Sequence, residues 1–181
     1  MVATSMVVPC QTAAQTPDQW AAAARAITRL PPAAFPALPA RVRQALEHRG
    51  CTVPQSFTVA CPHNVVHGRF ARAHQLDWAV LCSRGDSSHV LIFWGGQPDA
   101  PTTLGQTADA GFLQHIGGGQ IGYSHVIRAI GPAELRARAD AEDDALAARW
   151  DHDALEDAFA EKASSISYLD HGRWLSLGGA D

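Results

Sequence analysis

No stretch of the 181 residues approaches the roughly 20 consecutive apolar residues that a membrane-crossing helix needs. The four cysteines, Cys10, Cys51, Cys61 and Cys82, contain no CxxC pair, so the ligand spacing of zinc ribbons and of thioredoxin-like redox motifs is missing. Positive charge is sparse as well. Against 18 Asp and Glu stand 14 Lys and Arg, a net charge of -4, and the arginines are scattered, which leaves no electrostatic footprint for nucleic acid. No segment recurs with a period of roughly 20 to 50 residues, which excludes solenoids and multi-blade propellers. What is present, 46% hydrophobic and 18% charged residues in a domain-sized chain, suffices for a packed core.

The start of the chain, Met1 to Gln15, is small and apolar like the end of a secretory signal but lacks a basic front. The same composition suits a disordered tail, so residues 1–16 read as a flexible tail or signal remnant and 17–181 as a single α+β domain. Thr16-Pro17-Asp18 followed by Trp20, Ala23, Ala24, Ile27 and Leu30 predicts a helix from Pro17 to about Leu30. After a proline-broken linker, Val42, Ala45 and Leu46 mark a second helix ending at Gly50.

From Asn64 the period shortens. Asn64 to Phe70, Leu76 to Ser83 and Ser88 to Trp94 predict a three-stranded meander, and the last two strands are apolar on both faces except at Asp77. Gly95 to Gly119 reads as a long loop holding a short strand, Gln120 to Ile130 as a fourth strand, and Ala133 to Arg149 as a helix by composition. Asp153 with Glu156 spells a capping box ahead of Leu155, Ala158, Phe159 and Lys162, predicting a helix over Ala154 to Ala163. A closing hairpin pairs Ser165–Leu169 with Arg173–Leu177 around Asp170-His171-Gly172. The expected fold is α+β, a mainly antiparallel sheet of five or six strands with two N-terminal helices and one C-terminal helix packed on it.

Gly68-Arg69-Phe70 leading to Asp77-Trp78-Ala79-Val80-Leu81 and Val90-Leu91-Ile92-Phe93 resembles one blade of the FG-GAP type. In that family the intervening loop carries calcium-binding carboxylates. Here it reads Ala71-Arg72-Ala73-His74-Gln75, so the calcium function does not carry over. A longer set resembles uncharacterised bacterial proteins, often secreted: Cys51 to Gln55, Asn64 to Gly68, Asp77 to Ser83, Glu156 to Phe159 and Trp174. That resemblance implies one intact domain and an oxidising compartment, and no activity.

The motifs that carry chemistry elsewhere are incomplete. Gly117-Gly118-Gly119-Gln120-Ile121-Gly122 fits G-x-G-x-x-G but precedes a strand instead of a helix. His63 and His67 have zincin spacing without the glutamate, and on a strand they stand about 13 Å apart. Cys61 and His63 make only two ligands. The acidic run Asp140, Glu142, Asp143, Asp144, Asp151, Asp153, Glu156 and Asp157 does not follow EF-hand order. Arg84-Gly85-Asp86 is hairpin-turn chemistry, and Gly122-Tyr123-Ser124-His125 lacks the final glycine of a nucleophile elbow.

These residues support a non-catalytic extracytoplasmic binding or interaction domain for a protein or small molecule. No cofactor is implied. The candidate binding residues are Asp77, Trp78, Phe93 and Trp94, at the ends of the central strands. The alternative is a small hydrolase or metal-dependent enzyme using Asp77 with some of His63, His67, His74, His89, His125 and His152, which requires those groups to converge within about 3 Å of one another. Cys51 follows the second helix and Cys82 ends a central strand, which suggests a disulfide between them; four reduced thiols in a cytoplasmic protein remain the competing reading.

Overall fold

The computed structural model describes residues 16–138 and 149–178. The signal-remnant segment, Cys10, the helix expected beyond Arg138, and Asp140 with Glu142 to Asp144 lie outside them. Helix α1 (Pro17–Arg25) starts where the proline places it, with the Thr16 N–H donating to the Gln19 side chain at 2.8 Å. It ends before Ile27, five residues short of the expected boundary, because Arg29–Leu30 turns extended as strand β1. Helix α2 (Ala40–His48) buries Val42 and Leu46 completely, and Gly50 (φ 67°) closes it in the left-handed region. A short strand β2 (Val53–Pro54) pairs with β1.

The meander is present with one strand more. Strands β3 (Val65–Gly68), β4 (Asp77–Arg84), β5 (Ser87–Phe93) and β6 (Thr102–Ala108) form one antiparallel sheet in sequence order. β6 is an exposed edge of Thr, Gly and Gln, the polar composition that blunts an edge against further pairing and that reads as loop in the sequence. Arg84-Gly85-Asp86 is the β4–β5 turn, with Gly85 and Asp86 both at positive φ. Next come β7 (Leu113–His115) and β8 (Ile121–Tyr123), a hairpin whose loop is the glycine run, with Gly117, Gly118 and Gly119 all at positive φ. Its glycines serve a turn, and no helix follows them.

The expected fourth strand is two strands. At Ser124 the chain leaves β8 and enters β9 (His125–Ile130), because the Ser124 N–H and hydroxyl both donate to Phe112 O. After α3 (Pro132–Arg138), strands β10 (Ala154–Phe159), β11 (Ala163–Asp170) and β12 (Arg173–Gly178) join β9 in a second four-stranded meander. The fold is therefore α+β with several small antiparallel sheets, the largest of four strands, and not one sheet of five or six. The closing hairpin stands, with a loop shortened to His171-Gly172 since Asp170 pairs with Arg173.

The C-terminal helix expected over Ala154 to Ala163 is instead β10 and its turn into β11. Leu155 and Phe159, four apart, share a face in either conformation, so the pattern could not discriminate. The capping-box residues have other partners. Asp153 accepts the Arg69 N–H at 2.8 Å, while Glu156, buried, holds Arg128, Arg138 and Ser164. Burial alone would push the Glu156 carboxyl up; the bonds from Arg138, Ser164 and Arg128 hold it below the usual carboxylate range.

The two sheets pack face to face through Phe70, Ala79, Leu81, Val90 and Ile92 on one side and Ile127 and Leu155 on the other. The other face of the first sheet lies under α2 with Phe35, Leu38, Val42 and Leu46, and that of the second under Leu135 and Trp150. Asn64 (φ 68°) fastens the sheets to each other. Its buried side chain donates to Pro54 O and His125 O and accepts the Ile127 N–H. Phe159 is only half-buried, against Phe112 and under Lys162. Phe159→Ala should therefore cost about 1 to 2 kcal/mol in urea unfolding, below the roughly 3 to 5 of a fully buried ring. A loss above that range would place the ring in a closed core.

Candidate functional site

A cleft of about 460 Å³ lies between the C-terminal end of α1, the segment 55–62 and β8. Ala23, Ala26 and Ile27 form one wall and Ile121 to Tyr123 another, with Phe57, Val59, Ala60 and Pro62 on the connecting segment. That segment has no regular repeat, so side chains shape it. Gln55 accepts the His63 N–H and donates to Val53 O and His63 O, and the His63 ring accepts the Ser56 N–H at 2.7 Å while donating to Cys61 O at 2.9 Å. The Phe57 N–H donates to Tyr123 O at 2.8 Å, seating the segment on β8.

Gly122 is required there. A Cβ at that position would lie 2.9 Å from Ile116 and 3.0 Å from the Phe57 ring, closer than the packed side chains permit. The result is a preformed apolar floor whose backbone and amide polar groups are engaged with each other. Phe57 keeps 40% of its surface exposed. Cys61, a free and exposed thiol, sits at the rim. Behind the cleft the Tyr123 hydroxyl is buried beside Ser88 and Asp109 without a well-formed hydrogen bond; burial, then the Asp109 charge, raises it well above the ordinary tyrosine range. Asp109 itself is fully buried and accepts Ser83, Ser88 and the Arg29 guanidinium.

The four residues read from the sequence as binding residues lie elsewhere. Asp77 is fully buried and ties two loops to the strand end, accepting the Ala71 N–H at 3.0 Å, the Gly95 N–H at 2.7 Å and Gln75 Nε2 at 2.6 Å. Phe93 is fully buried and Trp78 nearly so, both in the core under α2. Trp94 is half-buried, stacks on Trp174 of the second sheet and donates Nε1–H to Thr102. Its exposed part remains available.

The histidines do not share a centre. Both ring nitrogens of His63 are engaged; His67 packs edge-on against Trp78; His74 is exposed; His152 lies between the Asp153 and Leu169 carbonyls, stacked on Tyr168. His125 is buried, stacked on Phe112 at 3.6 Å, with Nε2 2.6 Å from Asp157 Oδ1. Among the described residues the nearest hydroxyl in sequence, that of Ser124, is given to Phe112 O, and His125 Nδ1 is buried without a partner. Among the described residues no group of three His, Cys, Asp or Glu side chains is placed to hold a metal ion. The acidic residues of the run that are described go to separate partners, Asp153 to Arg69, Glu156 to arginines and Asp157 to His125.

The cleft was not visible in the sequence because its walls come from three distant segments, none with a motif. The nearest signal was Phe57, the single large apolar residue between Pro54 and Pro62. No family model, no curated protein and no solved structure matches the chain. The Cys51–Cys82 disulfide is formed, with Cα atoms 5.2 Å apart. Among the described residues no helix is long and apolar enough to cross a membrane.

Proposed function

We propose that the chain is a non-catalytic, extracytoplasmic binding domain whose cleft beside α1 receives a small, uncharged, apolar molecule. The observation that carries this reading is the cleft itself: about 460 Å³, walled by Ala26, Ile27 and Ile121, with Phe57 40% exposed and the nearby polar groups occupied by one another. Its volume falls within the roughly 300 to 1,000 Å³ of small-molecule sites. The disulfide supports an oxidising compartment, since cytosolic thiols are kept reduced. The hydrolase reading has less support: Asp77 already accepts three hydrogen bonds, and the histidines face separate partners.

The test is fluorescence titration with the neutral dye Nile red. Saturable, one-to-one binding is expected, and Ala26→Trp, which fills the cleft from an exposed helix-end position, should weaken it about tenfold or more, a loss of ~1.4 kcal/mol. Absence of saturation, or an unchanged isotherm in the variant, would contradict the assignment.

A further inference from the structure

A second pocket, about 310 Å³ and sharing no residue with the apolar cleft, opens beside the disulfide. Three elements bring basic side chains to it. Arg49 caps α2, its backbone N–H and one guanidinium nitrogen both donating to Ala45 O, which leaves most of its fork unused. Arg84 is the last residue of β4, and its chain passes over Gly50, where an added Cβ would lie 3.9 Å from Arg84 Cδ. His89 stands opposite Cys82 on β5, where the β5–β6 register slips between Ser88 and Val90. Leu91, Pro101 and Thr103 complete the wall with Cys51 and Cys82.

Among the described residues no carboxylate lines this pocket. Three arginines outside it are matched to carboxylates: Arg29 reaches Asp109 and Asp86, while Arg128 and Arg138 both reach Glu134 and Glu156. The exposed Arg84 side chain, like those of Arg41 and Arg43, makes no hydrogen bond or ion pair among the described residues; it differs from them in lining a pocket with Arg49 and His89. Like charges gathered in a concavity repel one another unless an anion joins them. A guanidinium fork matches the oxygens of carboxylate and phosphate two at a time.

We propose that this pocket is an oxyanion-binding site, in which Arg49, Arg84 and His89 take up the phosphate or carboxylate group of a small molecule whose body lies against Leu91 and Pro101. His89 fits the role. Its proton affinity is lowered, first by burial and then by the Arg84 charge, and the charged groups facing it are Arg84 from β4 and Arg49 from the end of α2. A bound anion offsets the Arg84 charge and pairs with the imidazolium, so binding should tighten as pH falls through the range where His89 protonates.

The test follows the His89 imidazole by NMR while inorganic phosphate, and in a separate arm acetate, is titrated at constant ionic strength. The expected result is a saturating His89 shift, with Arg84→Gln raising the midpoint concentration at least tenfold at unchanged melting temperature. Arg49→Gln is the second variant and should weaken binding in the same direction. Saturation by phosphate alone assigns a phosphorylated ligand, by acetate alone a carboxylated one, and by both a general oxyanion site. If His89 moves no more than the exposed His74, or if both variants titrate like the parent, the proposal is wrong.

Discussion

Asp77→Ala should lose about 3 to 5 kcal/mol of folding stability, a large part of the roughly 5 to 15 that a domain of this size possesses. The carboxylate lies at the first position of β4 with no accessible surface, and it is the common acceptor for two loops. Oδ2 takes the Ala71 N–H, while Oδ1 takes both the Gly95 N–H and Gln75 Nε2. Hydrogen bonds to a charged acceptor contribute about 1.5 to 3 kcal/mol each, and truncation leaves two backbone donors without a partner. Asp77→Asn should fall between the parent and Ala. An amide aligned to serve Gly95 and Gln75 turns its NH₂ toward the Ala71 N–H, donor against donor. Urea unfolding gives the difference directly. A loss below 1 kcal/mol for the Ala variant would mean that water replaces the carboxylate at both loops.

Removing the disulfide in the double variant Cys51→Ala, Cys82→Ala should cost about 3 to 4 kcal/mol, the loop-closure entropy returned to an unfolded chain whose ends were 31 residues apart. Substituting both residues avoids a lone buried thiol, since both cysteines are buried beside Val42, Leu46 and Val80. The native contact should persist without the bond, because Thr52 and Ser83 next to it exchange two backbone hydrogen bonds of 3.0 and 2.8 Å. The variant is thus expected to fold and to unfold at lower denaturant. Calorimetry showing a change under 1 kcal/mol, or peptide mapping that finds both thiols free in the protein from its native compartment, would contradict the disulfide and the oxidising compartment inferred from it.

Much of the fold was legible where two independent signals agreed. In β4 and β5 apolar residues on both faces coincide with β-branched composition and tight polar turns, and both strands are buried as read. α2 combined an apolar stripe with a terminating glycine. Where one signal stood alone, tertiary structure overrode it. The i, i+4 pair Leu155 and Phe159 fits helix and strand equally, and Asp153 serves Arg69, just past the end of β3, instead of a helix end. The polar edge β6 carries little hydrophobic pattern, and the division of residues 120–130 between two sheets depends on Ser124 meeting Phe112. Neither pocket was readable, for a common reason. Each is assembled from segments far apart in the chain, and what distinguishes them, a partly exposed Phe57 and the meeting of Arg49, Arg84 and His89, is a property of the folded neighbourhood.

The central claim is that the cleft between α1, the segment 55–62 and β8 is the ligand site. Amide NMR mapping with indole, an uncharged aromatic probe, tests it most directly. The account predicts saturating shifts concentrated at Ala26, Ile27, Phe57, Ala60 and Gly122, and their loss in Ala26→Trp. Shifts that stay linear across the chain, or that centre on Trp94 and Trp174, would contradict it.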